Sequence, residues 1–127
     1  MWRTIAERRR QRQAQGLSRA VGELPLATRQ AMLEAIESEE LIVGAYTDRK
    51  GRMCPMLAAH RRGARTHARG FPRAWDAFAR ASRPRPATER ELQILRAILQ
   101  ESLAGAASPG QRGPRAPAQP RTPIVAS

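Results

Sequence analysis

Few side chains in this chain are of types that do chemistry, and their spacing limits what they can do. Cys54 is the sole cysteine, and the two histidines are His60 and His67. As metal ligands these three lack a Cys-x-x-Cys or His-x-x-x-His pair, and a fourth ligand would have to come from a distant acid, so no metal site is expected. As a nucleophile, Cys54 would need a histidine oriented by a carboxylate, and both histidines stand in a basic stretch without one. Glu37, Glu39 and Glu40 cluster where a helix should end, a position that exposes acids to water more often than it pairs them for proton transfer. Gly63 and Gly70 alone do not make a phosphate-cradling loop. The expectation is a protein that is not an enzyme and carries no cofactor, with Cys54 buried and inert.

Cations are the abundant resource. Lys plus Arg number 23 against 11 Asp plus Glu, a net charge of +12 on 127 residues, which calls for a polyanionic or acidic partner. Lys50 is the only lysine, the usage of a GC-rich genome; that explains arginine over lysine but not the excess of cation over anion. Residues 1–20 sum to +5, residues 21–48 to −5, and residues 49–73 to +8 with no acid at all. This succession permits two arrangements: internal neutralisation between the first helix and the second, or a dipolar surface with one face for polyanions. The candidate contacts to nucleic acid are Arg8, Arg9, Arg10 and Arg12 in a basic arm, and Arg49, Lys50, Arg52, Arg61, Arg62, Arg65, Arg69 and Arg73 in the acid-free stretch. Guanidinium groups on such segments track phosphates and release counterions. The rings nearest in sequence are spaced to be buried, which favours contact with the sugar-phosphate backbone over stacking on bases.

The elements that must position these residues are short. Trp2, Ile5 and Ala6 begin a helical pattern that loses its apolar stripe across Arg8 to Arg12 and regains it at Leu17, Ala20, Val21 and Leu24, with Gly16 a possible break between the halves. Pro25 starts a second helix over residues 25–38, with Leu26, Ala27, Met32, Leu33 and Ile36 on its apolar face and Arg29, Gln30 and Glu34 wet. Residues 41–47 read as a strand and Asp48 to Gly51 as a turn; residues 52–58 are the return strand, held to a sheet edge by Pro55. Residues 59–70 read as an exposed basic loop. Phe71, Trp75 and Phe78 then share one face of a short helix, Pro84 and Pro86 stiffen a connector, and Thr88 with Glu91 forms a capping box for a last helix striped by Leu92, Leu95, Ile98, Leu99 and Leu103. The fold class expected is α+β: one small domain of about four helices over residues 15–103, with a central two-stranded antiparallel hairpin. A basic arm, helical or frayed, precedes it at 1–14, and residues 104–127, rich in Pro, Ala, Gly and Arg, read as a disordered tail.

Residues 17–33 resemble the opening of the promoter-binding helix-turn-helix of bacterial sigma factors, and residues 87–95 are similar to the first helix of response-regulator DNA-binding domains. Each match covers fewer than 20 residues and lacks the turn and recognition helix that read a major groove, so no functional residue is carried over from either family. The lone cysteine fits a reducing compartment, and no apolar run approaches a membrane span or a secretory signal. The function expected is therefore noncatalytic binding in a bacterial cytoplasm to the backbone of RNA or DNA, or to a ribosome or transcription complex. The alternative is a regulatory adaptor that docks on another protein, with an acidic surface as its possible partner, through its hairpin or a helix face.

Overall fold

The computed structural model describes residues 4–64 and 70–107. The first helix, α1 (Ile5–Gly22), opens on a capping box: the Glu7 N–H donates to Thr4 Oγ1 and the Thr4 N–H to Glu7 Oε1, both at 3.0 Å. It passes through Gly16 without a break, because the 3.6-residue pattern resumes in phase at Leu17, Ala20 and Val21, which are buried. Residues 5–12, by contrast, are exposed on every side of the helix.

Pro25 leads into α2 (Leu26–Ser38) as expected, but the buried face is Thr28, Met32, Ala35 and Ile36, while Leu26 and Ala27 face water. Arg29 explains the rotation. Its guanidinium turns back over the end of α1, donating to the Leu24 carbonyl (2.8 Å), the Gly22 carbonyl (2.9 Å) and Ser102 Oγ (2.7 Å). A cation on the carbonyls that end a helix satisfies unpaired acceptors and complements the helix dipole.

A two-stranded antiparallel element is present, but its second strand is not residues 52–58. Strand β1 (Ile42–Val43) pairs with β2 (Arg85–Pro86) in the register Ile42 to Pro86 and Val43 to Arg85. Residues 46–54 keep the turn: Gly51 has φ +81°, its N–H reaches the Asp48 carbonyl at 3.1 Å, and the Cys54 N–H reaches the Tyr46 carbonyl at 2.9 Å. The chain then enters α3 (Pro55–Arg61), with Cys54 as its N-cap, Sγ accepting the Leu57 N–H at 3.4 Å. Proline is preorganised for a first helical turn and cannot donate to a ladder, so the residue that demoted a strand in fact starts a helix. Pro86 meets the same constraint by lying in a two-residue strand at the edge of the pair.

Helix α4 (Gly70–Ala79) carries the aromatic face. Trp75 is fully buried, its ring 6.1 Å from that of Phe71 and 6.0 Å from that of Phe78. Helix α5 (Glu89–Ala107) brings the helices among the described residues to five rather than about four, and it continues beyond residue 103; residues 108–127 of the expected tail lie outside the described residues. α1 packs on α4 and α5, α2 packs on α3 and α5, and β1 lies along α4.

The α5 capping box is closed and doubly used. The Glu91 N–H donates to Thr88 Oγ1 (3.1 Å), the Thr88 N–H donates to Glu91 Oε1 (2.8 Å), and Arg85 donates to both carboxylate oxygens at 3.0 and 2.8 Å. Burial pushes the Glu91 carboxyl up, but the Arg85 guanidinium and the Thr88 donors outweigh it and hold the group below the usual glutamate range. A carboxyl lowered in the folded state contributes stability that is complete above its unfolded pKa, roughly 4.3, and is lost as the pH falls through the folded value. Glu91→Gln should therefore lower the urea midpoint at pH 7, by about 1–2 kcal/mol in stability, and flatten the decline below about pH 4.5 that the parent shows. Equal acid slopes in the two proteins would remove this account of the cap.

Candidate nucleic-acid interface

The proposed phosphate contacts fall into separate environments. Arg8, Arg9, Arg10 and Arg12 lie within two turns of the exposed half of α1, and at 100° per residue they point to several sides of it. Arg8 and Arg12, with Gln11 and Gln15, border a shallow groove of about 290 Å3. Arg10 stands with Arg90 at a second groove, of about 190 Å3, between α1, α4 and α5, over Ala14, Phe78 and Ile94. Arg9, Arg10 and Arg12 form no ion pair with any described residue.

The acid-free stretch divides. Arg49 and Lys50 are exposed in the turn. Arg52 is not available in the same way, since its Nε lies 2.7 Å from Asp48 Oδ2 and its Nη1 3.9 Å from Glu40. Burial pushes the Asp48 carboxyl up, yet the Arg52 side chain and the N–H groups of Arg52 and Lys50 bring it below the ordinary aspartate value. Arg62 is held likewise: Nη2 and Nε reach Glu39 Oε2 at 2.7 and 3.1 Å, Nη2 reaches Ser38 Oγ at 2.7 Å, and Nη1 lies 3.8 Å from Glu34. Arg96 of α5 sits 2.9 Å from Glu37. Among the described residues the glutamates at 37, 39 and 40 are thus neutralised from Arg52, Arg62 and Arg96. Arg61 and Arg73 are exposed on α3 and α4; Arg65 and Arg69 lie outside the described residues.

One cation missed in the sequence joins this surface. Arg83, in the connector between α4 and β2, lines a cleft of about 370 Å3 with Arg49, Lys50, Pro84 and the paired Asp48 and Arg52. Its placement comes from Gly44, whose missing Cβ lets the Arg83 carbonyl approach the end of β1.

The chemistry-capable residues are otherwise occupied. Cys54 is buried, and burial raises its thiol above the ordinary value, with the neighbouring Asp76 charge adding to the rise, so it stays protonated at neutral pH. Glu37, Glu39 and Glu40 all face arginines. Among the described residues no three His, Cys, Asp or Glu side chains gather as metal ligands, and no helix is long and apolar enough to cross a membrane; His67 lies outside them. No family model matches the chain, and comparison with curated proteins and with solved structures returns no match.

Proposed function

We propose that the chain is a noncatalytic nucleic-acid-associated protein that holds the sugar-phosphate backbone of RNA or DNA through the projecting half of α1, with Arg49, Lys50 and Arg83 as a second basic surface. The observation that carries this reading is the exposure, on all sides of the helix, of residues 5–12, a segment with four arginines and one acid, Glu7, which is engaged in the cap. No side chain of that half is buried, and like charges one turn apart, Arg9 and Arg12, oppose the helix by about 0.2–0.5 kcal/mol. A row of phosphates removes that repulsion and gains the release of condensed counterions. Arg52 and Arg62 are left out of the proposed interface because carboxylates already hold them.

The test is anisotropy of a labelled duplex of about 20 base pairs and arbitrary sequence, titrated between roughly 50 and 300 mM salt. Affinity should fall steeply with salt. Combining Arg9→Gln, Arg10→Gln and Arg12→Gln should reduce the logarithmic slope by about 0.9 for each phosphate no longer neutralised. Arg52→Gln with Arg62→Gln should leave the slope alone and lower the unfolding midpoint instead. Absent binding, binding indifferent to salt, or an unchanged slope in the triple variant would overturn the reading.

A further inference from the structure

Beside α4 the fold opens a cleft of about 310 Å3 whose lining residues combine three chemistries, the aromatic Tyr46, the cationic Arg73 and the acidic Asp76, with Gly44, the buried Cys54 and Trp75 and the half-buried Pro72. Tyr46 is the one exposed aromatic among the described residues, at 60%. Its exposure is not slack in the chain. The Tyr46 carbonyl accepts the Cys54 N–H at 2.9 Å, and two residues earlier the Gly44 N–H donates to Asp76 Oδ1 at 2.9 Å. Backbone tied down at both sides fixes where the ring is rooted beside the cleft, so only its side-chain torsions remain to be ordered on binding.

Arg73 and Asp76 are one turn apart on α4, yet they form no ion pair with each other, so the cleft presents a cation and an acceptor side by side. The Trp75 N–H is spent on the Ile42 carbonyl at 3.0 Å and offers nothing to a ligand. An apolar base with a few convergent polar groups is the general form of a small-molecule site, and about 310 Å3 stands at the lower end of their range, room for one ring system and not two. The geometry points to an unpaired nucleotide, its base laid on Tyr46 with an amino edge toward Asp76 and its phosphate on Arg73. This rests on the backbone-binding reading above and adds to it a preference for single strands, since a base inside a duplex has no free face to offer.

The experiment uses the full chain and two labelled single strands of equal length, oligodeoxycytidine and an abasic strand with the same phosphates, in parallel salt titrations. The parent should bind the cytidine strand about tenfold more tightly than the abasic one. Tyr46→Ala should abolish that ratio while leaving abasic affinity and the salt slope unchanged, and Tyr46→Phe should keep it. The triple α1 variant should weaken both strands alike and preserve the ratio. Equal, salt-dependent binding of both strands by the parent, or full cytidine affinity in Tyr46→Ala, would overturn the base site and leave the α1 reading standing. Failure to bind either strand would overturn the base site, and failure to bind the duplex as well would overturn both.

Discussion

Trp75→Ala is expected to cost about 3–5 kcal/mol, a large part of the roughly 5–15 kcal/mol that holds a domain of this size folded. The indole is fully buried between Phe71 and Phe78, so truncation removes the central member of a three-ring stack and leaves a cavity lined by the other two. It also removes the hydrogen bond from the indole N–H to the Ile42 carbonyl, a direct tie between α4 and β1. Trp75→Phe separates the two contributions. It keeps most of the apolar area but leaves a buried carbonyl short of its donor, for about 1–3 kcal/mol. Urea titrations followed by far-ultraviolet circular dichroism give both numbers. A loss below about 1.5 kcal/mol for Trp75→Ala would mean that the core is centred elsewhere.

What the sequence made legible was local. The aromatic face of α4 and the box of Thr88 and Glu91 each depend on residues within one or two turns, and both stand in the structure at the expected spacing. The pairing of Ile42 with Pro86 could not be read this way, because strands of two residues carry no alternation to set a register and the partner is a long way along the chain. Pro55 was ambiguous for a physical reason: the same missing N–H that weakens a strand suits a helix start, and a cysteine N-cap gives little warning.

The candidate site shows the same division. Total cation was legible; its assignment was not, since Arg62 meets Glu39 across 23 residues of chain and only the packing of α2 on α3 brings them together. Arg83 sat in a proline-rich connector that reads as a spacer, until Gly44 draws its backbone in beside Arg49 and Lys50. Tyr46 closed an apolar run typical of a buried strand. Nothing in its neighbours distinguishes a ring turned inward from one displayed over α4, because that is decided by the turn at Asp48 and the bond from Gly44 to Asp76.

Gly44→Ala tests that last junction and should be among the most damaging single-methyl additions in the chain. Gly44 has φ +88°, where an L side chain costs about 1–2 kcal/mol, and an added Cβ would fall well inside contact distance of the Arg83 carbonyl. The obstructing atoms are backbone and cannot rotate away, so β1 must part from the connector, adding about 1–3 kcal/mol of overpacking. Gly51→Ala is the control for strain alone: its φ is +81° but a Cβ there meets nothing within 4 Å, so about 1–2 kcal/mol is expected. Gly16→Ala, in open space on a helix, should instead stabilise by about 0.5–1 kcal/mol. Because Gly44 also holds Asp76, the alanine at 44 should erode the preference for a strand with bases over an abasic one, and the alanine at 51 should not. If both alanines cost the same in urea, the close approach of Gly44 to Arg83 does not constrain the folded chain, and the orientation of Tyr46 over the cleft loses its physical basis.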